Sequence, residues 1–210
     1  MIGFYNYTVI LTYIGFACGS VGIYFAANGQ TNMALLMLLL AGLCDMFDGK
    51  IAKTKTDRTE AEKRFGIQID SLSDMVCFGI LPPAIAFSCG MRAPLQIVVY
   101  TCYSLGALIR LAYFNVTEEE RQQKTSERRK VYEGLPVTSS ALIVPLLFGF
   151  RHDLGDAFSV VATVIYAVVA VAFITRFTLQ KPGMRKMLLF ILVGALELAL
   201  ILFKYYQATH

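Results

Sequence analysis

Four aspartates interrupt strongly apolar segments in the first half of the chain, and they occur as two pairs. Asp45 and Asp48 are three residues apart, and Asp70 and Asp74 are four residues apart. Either spacing places both members of a pair on one face of a helix. An ionised aspartate near the centre of a membrane helix costs about 2.5–3.5 kcal/mol, so such residues usually face a polar cavity and pair with a cation. The two pairs are therefore our candidate site.

The two pairs are expected to converge. One basic connection joins the segments that carry them, so the segments run antiparallel and both pairs lie near the same end. Four carboxylates that meet there form a strongly negative site, which favours the entry of cations. All-oxygen ligation suits Mg²⁺ or Mn²⁺, and four acidic groups can hold two such ions about 3.5–4 Å apart. The sequence thus predicts metal ligands at Asp45, Asp48, Asp70 and Asp74.

Small residues lie between the two pairs. Gly49 and Ala52 are three residues apart on the segment that bears the first pair, and Gly66 precedes the second pair. Small side chains at such positions allow a neighbouring helix to approach closely, and they equally leave room for the backbone or base of a ligand. Spacing alone favours helix packing.

The composition indicates a polytopic membrane protein. The 210 residues are 56% hydrophobic and only 16% charged, and apolar runs of about 20 residues match a hydrocarbon core about 30 Å thick. The fifth apolar segment is short and contains two prolines, so a re-entrant or kinked piece is an alternative there. We predict a single all-α domain, 1–210, of six to seven transmembrane helices, with helical segments at about 8–27, 31–53, 66–90, 93–116, 135–151, 157–177 and 186–206.

Basic residues set the expected orientation. They concentrate in the connections after the second, fourth and sixth segments, whereas the opposite connections carry only Arg92 and Arg151. This bias places the N-terminus, the three basic connections and the aspartates on the cytoplasmic side of the cell membrane. The net charge of +4 fits this topology and contact with anionic lipid, and no nucleic-acid partner is expected.

The stretch from Asp45 to Asp74 resembles the signature of the CDP-alcohol phosphatidyltransferases, D-x2-D-G-x2-A-R-x8-G-x3-D-x3-D. Two features depart from that pattern. Lys53 replaces the usual arginine, which keeps the charge but loses bidentate contact with phosphate. The spacer 54–65 has twelve residues instead of the usual eight or so, and we expect it to form a solvated extension. The matching positions are Asp45, Asp48, Gly49, Ala52, Gly66, Asp70 and Asp74.

Three further stretches are similar to the membrane-embedded bacterial phosphatidylserine synthases, the group in that family which the chain resembles most: 65–79, 108–116 and 132–141. The clear resemblance covers about 45–141. Within it, Arg110 is interpreted either as a clamp for a lipid phosphate or a serine carboxylate, or as a side chain that snorkels to the membrane surface. The resemblance implies that Thr12 and Asn6, near the first helix, reach the site, since related enzymes use that helix against the nucleotide, but the local pattern here is too loose to assign them a role.

The resemblance implies transfer of the phosphatidyl group of CDP-diacylglycerol to L-serine, with release of CMP. Asp45, Asp48 and Asp70 would be the principal metal ligands. Asp74 would be the general base for the serine hydroxyl and would also touch the second metal. The residues expected to bind the donor are Asp45, Gly49, Ala52, Lys53, Gly66 and Arg110.

Two alternatives stay open. The same chemistry could use glycerol 3-phosphate or an inositol phosphate as acceptor, which would require further basic residues in the pocket. A divalent-cation transport path would instead spread acidic residues along several helices, whereas Glu197 alone lies deep in another apolar segment. The expected partners are CDP-diacylglycerol, L-serine and the lipid bilayer. A homodimer is left open, because the sequence does not fix the oligomeric state.

Overall fold

The computed structural model describes residues 2–124 and 131–180, together with Gly194. These residues are almost entirely helical. The α-helices are α1 Tyr7–Ala27, α2 Thr31–Ala52, α3 Glu60–Asp74, α4 Leu81–Ser88, α5 Pro94–Lys124, α6 Ser140–Gly149, α7 Arg151–Leu154 and α8 Phe158–Ile174. A π-helical turn, Met75–Ile80, joins α3 to α4, and short 3₁₀ turns at Val137–Ser139 and Gly155–Ala157 precede α6 and α8. Two three-residue strands, β1 Val131–Glu133 and β2 Thr178–Gln180, pair antiparallel.

Four of the described helical stretches are long and apolar enough to cross a membrane: Tyr7–Ala27, Glu60–Ser88, Pro94–Arg121 and Arg151–Ile174. These stretches confirm an all-helical membrane protein. The apolar helix Val137–Gly149 is shorter than a full span, as the two prolines in the fifth segment led us to consider. The last predicted segment, 186–206, and Glu197 within it lie outside the described residues.

The third helix begins earlier than hydrophobicity predicts. We expected it to start near residue 66, but α3 begins at Glu60, so the spacer 54–65 is only partly an irregular extension. The Thr59 hydroxyl accepts a hydrogen bond from the Glu62 amide at 3.2 Å, and the Glu62 carboxylate accepts one from the Thr59 amide at 2.8 Å. This reciprocal capping box satisfies two amides that a helix start otherwise leaves without partners. It therefore fixes where α3 begins.

The fourth predicted helix extends further than expected at its other end. We placed its end near residue 116, but α5 continues to Lys124 through a charged stretch. In the added turns the Arg121 guanidinium pairs with the Glu118 carboxylate at 2.6 Å. Pairs three residues apart on one helix face support a helix that hydrophobicity alone does not reveal.

Two consecutive prolines in the first turn of α4 shape the interior of the bundle. They lack the N–H groups that would reach the carbonyls four residues earlier, which belong to Phe78 and Gly79. The Tyr103 hydroxyl instead donates to the Phe78 carbonyl at 3.1 Å, and Ser104 Oγ donates to the Gly79 carbonyl at 2.8 Å. A buried carbonyl without a partner is costly in an apolar environment. Helix α5 therefore supplies the donors that the prolines remove.

Helix α1 packs closely against this region through a row of glycines. A Cβ placed on Gly19 would overlap the side chain of Cys77, and one on Gly22 would lie 2.8 Å from Leu81 Cδ2. Small residues on one face allow two membrane helices to approach at backbone distance. This contact presses α1 against the π-helical turn that directly follows Asp74.

Removal of the Tyr103 hydroxyl tests the role of the α5 donors. Tyr103→Phe keeps the ring but leaves the Phe78 carbonyl without its donor, so we expect a loss of about 0.5–2 kcal/mol in the free energy of unfolding. Thermal unfolding in detergent micelles measures it. The matched control is Tyr24→Phe, because Tyr24 is 69% exposed. Equal melting temperatures for the two variants would contradict this account.

Candidate active site

The ends of α2 and α3 bring three of the four aspartates together. The carboxylates of Asp45, Asp70 and Asp74 each offer an oxygen, and these oxygens all lie within 4.8 Å of one another. Asp45 lies two turns before the end of α2, whereas Asp70 and Asp74 occupy the last two turns of α3. The periodicity that puts Asp70 and Asp74 on one face of α3 thus aims both of them at α2.

Asp48 borders this group on the side of α1. Its carboxylate contacts Asp70 and accepts a hydrogen bond from Thr12 Oγ1 at 3.1 Å. Asp48 is only 7% exposed, so the Thr12 hydroxyl replaces water as a partner for one of its oxygens. The glycine-lined packing of α1 is what brings Thr12 close enough to do this.

The oxygen ligands of the aspartate cluster and their burial fit a divalent cation. Asp70 Oδ1 is buried and has no hydrogen-bond partner among the described residues. Neighbouring carboxylates also repel one another strongly where water is excluded. A cation would supply the missing partner of Asp70 and offset the repulsion. The three clustered ligand atoms are all carboxylate oxygens, which suits Mg²⁺ or Mn²⁺ better than metals that prefer nitrogen or sulfur. The aspartate cluster can therefore hold a divalent metal.

Thr138 is a neighbour of the site that the sequence analysis missed. Asp45 lies against the side chains of Asp74 and Thr138. Thr138 belongs to the 3₁₀ turn before α6, within the stretch 132–141 that carries part of the family resemblance. Three consecutive hydroxyl residues, 138–140, inside an apolar segment were the available signal, but nothing in their spacing points to Asp45.

Gly134 fixes the position of that turn. Its φ of +74° is favourable only for glycine, and a Cβ there would lie 2.9 Å from the Thr175 carbonyl oxygen. The Gly134 amide donates to the Phe177 carbonyl at 2.7 Å, and the Leu135 amide donates to the Ala172 carbonyl at 3.3 Å. The turn is thereby anchored to the end of α8, which places Thr138 beside α2.

The small residues of the predicted donor site face different surroundings. No described atom lies within 4 Å of a Cβ built on Gly49, whereas a Cβ on Gly66 would lie 2.6 Å from Arg58 Nη2. Among the described residues, no neighbouring helix packs against either glycine. Ala52 is partly buried in the last turn of α2, and Lys53 is exposed at its C-cap.

Polar contacts tie the connection between α2 and α3 to the start of α1. The Glu62 carboxylate accepts hydrogen bonds from Asn6 Nδ2 at 2.7 Å and from Lys55 Nζ at 2.8 Å. The contact with Glu62 raises the pKa of the Lys55 ammonium above its ordinary value. Asn6 therefore reaches the beginning of α3, whereas Thr12 reaches an aspartate.

Arg110 lines a different cavity, of about 190 Å³, between α5 and the end of α8. Tyr113 and Arg176 also line this cavity, and none of the four aspartates does. Arg176 Nη2 donates to the Tyr113 hydroxyl at 3.4 Å. Arg110 is only 8% exposed, which disfavours the interpretation that it snorkels to the membrane surface.

Comparisons with known proteins agree with the signature. The sequence model of the CDP-alcohol phosphatidyltransferase family matches residues 5–174. The CDP-diacylglycerol–serine O-phosphatidyltransferase of Saccharomyces cerevisiae is 34% identical over 119 residues, which are 55% of this chain and 42% of that protein. An archaetidylserine synthase of Methanothermobacter thermautotrophicus is 28% identical over 167 residues, 78% of this chain and 67% of that protein.

A bacterial relative shows a similar level of identity. The CDP-diacylglycerol–serine O-phosphatidyltransferase of Helicobacter pylori strain 26695 is 30% identical over 130 residues, 61% of this chain and 51% of that protein. The matches to these three relatives thus span between 42% and 67% of their lengths.

Divalent cations should stabilise the folded chain through the aspartate cluster. We expect Mn²⁺ at a hundredfold excess over its Kd to add about 2.7 kcal/mol to the free energy of unfolding, and Asp70→Asn to remove most of that gain. Thermal unfolding with and without Mn²⁺ measures the effect. Asp57→Asn is the matched control, because Asp57 is exposed in the connection before α3. An equal Mn²⁺ response in wild type and Asp70→Asn would show that the ion binds elsewhere.

Proposed function

This chain belongs to the CDP-alcohol phosphatidyltransferase family, and on that premise we propose that it transfers the phosphatidyl group of CDP-diacylglycerol to L-serine. The serine hydroxyl oxygen forms a bond to the phosphorus that carries diacylglycerol, and the bond from that phosphorus to the CMP oxygen breaks. The products are phosphatidylserine and CMP. Relatives whose names specify serine as acceptor support this choice. The observation that carries the proposal is the convergence of Asp45, Asp70 and Asp74 within one signature.

Three aspartates are proposed to hold the cofactor. Asp45, Asp48 and Asp70 would be the principal ligands of Mg²⁺ or Mn²⁺, with two ions favoured by the number of carboxylates. When bound, such ions neutralise the diphosphate of the donor and stabilise the charge on the departing CMP. Thr12 holds the Asp48 carboxylate in place at 3.1 Å, and the side chain of Thr138 lies against Asp45.

Asp74 is proposed to act as the general base. It is 9% exposed and lies at the end of α3, directly before the π-helical turn. The Asp74 carboxylate would accept the proton of the serine hydroxyl while the serine oxygen attacks phosphorus. The same carboxylate would also touch the second metal ion. Burial limits access of water, which would otherwise compete with serine as the attacking group.

The remaining predicted residues are proposed to bind the donor and the acceptor. Open space beside Gly49 leaves room for the nucleotide, and Ala52 on α2 and Gly66 on α3 would complete the donor site from its two sides. Lys53, exposed at the end of α2, would meet a phosphate. Arg110, in its separate cavity, would clamp the lipid phosphate or the serine carboxylate.

The proposed setting is the cytoplasmic side of the cell membrane. Asp45 and Asp48 lie in the last two turns of α2, close to the basic connection that follows it, and basic connections favour the cytoplasm. There the cytidine end of the donor meets water while its acyl chains stay in the bilayer. We propose that the chain forms one catalytic domain with six to seven transmembrane helices. A homodimer remains an open alternative.

A purified-enzyme assay tests the reaction and its acceptor. CMP release from CDP-diacylglycerol should require L-serine and should not proceed with glycerol 3-phosphate or an inositol phosphate. If one of those acceptors supports turnover and serine does not, the assignment of serine as the acceptor is wrong, although the transfer chemistry of the family still holds. Cation flux into liposomes without any CMP release would contradict the proposed function altogether.

Single substitutions test the two roles of the aspartates. Asp74→Asn should bind CDP-diacylglycerol nearly as the wild type does, yet lose at least about 10²-fold in kcat, because general-base catalysis contributes roughly 10²–10⁴-fold. Near-normal kcat for this variant would rule out Asp74 as the general base.

Asp45→Asn should require a higher Mg²⁺ or Mn²⁺ concentration for half-maximal rate, because it removes one of the proposed metal ligands. An unchanged requirement would count against the role of Asp45 as a ligand.

A further inference from the structure

Arg58 bridges the two helices that carry the aspartates. It lies in the connection between α2 and α3, where its Nη1 donates to the Ala52 carbonyl at 3.4 Å and its Nη2 donates to the Glu62 carbonyl at 3.1 Å. A Cβ built on Gly66 would lie 2.6 Å from Nη2. The guanidinium therefore occupies the space that the missing side chain of Gly66 leaves.

This position is the loop-side end of the aspartate cleft. Gly66, Asp70 and Asp74 follow one another at intervals of four residues, so they lie on one face of α3. Ala52 lies four residues after Asp48 on the facing helix α2. Four residues of helix rise about 6 Å, which places the Arg58 guanidinium about one turn from Asp70 along the cleft. A ligand that binds at the aspartates and extends one turn along the cleft toward the connection would therefore meet this guanidinium.

The Arg58 guanidinium also has donor capacity to spare. A guanidinium carries five N–H donors, and Arg58 Nε is buried without a hydrogen-bond partner among the described residues. The bond from Nη1 to Ala52 is long at 3.4 Å, so an anion that arrives there displaces a weak contact. Lys53, by contrast, is exposed and has no planar fork that could grip two phosphate oxygens.

We infer that Arg58 binds the diphosphate of the nucleoside diphosphate donor and supplies the bidentate contact that Lys53 lacks. The inference rests on the proposed function, because it deepens the account of the donor site. The longer spacer 54–65 gives the chain the length to fold Arg58 back over Gly66. Position 66 must then be glycine because a side chain there would collide with the Arg58 guanidinium, in addition to any space that the nucleotide needs.

Binding measurements on purified protein in detergent test the role of Arg58. Arg58→Ala should raise the Kd for CDP and the KM for CDP-diacylglycerol about tenfold or more, and should leave the KM for serine and the binding of cytidine unchanged. Arg58→Lys should retain part of the affinity, because it keeps the charge but loses the fork. Arg64→Ala is the matched control, since Arg64 is exposed on α3, and it should behave as the wild type does.

Two results would overturn the inference. One is a wild-type Kd for CDP in Arg58→Ala. The other is an equal loss of affinity for CDP and for cytidine, which would show that Arg58 only supports the connection between the helices. Failure of the proposed function is distinguishable from both, because it appears as a wild-type protein that binds CDP but releases no CMP with any acceptor.

Discussion

Mutual repulsion among carboxylates that are withdrawn from water is the constraint on which the rest of the structure depends. Three of these groups offer oxygens within 4.8 Å of one another, and a fourth is adjacent. Such a cluster is costly in an apolar bundle unless cations and hydrogen bonds offset it. Thr12 offsets part of this cost because it donates to Asp48. The buried Oδ1 of Asp70 has no hydrogen-bond partner among the described residues, so a cation would have to offset the rest. The energetic cost and the capacity to bind a metal thus have the same origin.

The scaffold holds this cluster by satisfying backbone groups that the sequence itself disrupts. Prolines at the start of α4 free two carbonyls, and hydroxyls of α5 then bind them. The Tyr103 hydroxyl also lies 2.6 Å from Ser140 Oγ, so it links the π-helical turn, α5 and α6 at a single point. Cys77 of the same turn packs against the glycine face of α1. Contacts with α1, α5 and α6 thus hold the turn that directly follows Asp74.

Part of this arrangement could be predicted from the sequence, because helical periodicity alone puts each aspartate pair on one face. Hydrophobicity alone predicts that α3 starts near residue 66, whereas the helix begins at Glu60. The T-x-x-E pattern at Thr59 carried the correct signal, since capping depends on backbone hydrogen bonds and not on apolar content. The contact of Thr138 with Asp45 could not be predicted, because it depends on how Gly134 packs against the end of α8. The fold of Arg58 over Gly66 likewise depends on the path of an irregular connection, and no periodicity determines such a path.

Anomalous diffraction from crystals soaked with Mn²⁺ is the most direct test of the central claim. The account predicts anomalous density enclosed by the carboxylates of Asp45, Asp70 and Asp74, with Asp48 at its edge. Density at other carboxylates, with none inside the cluster, would contradict it.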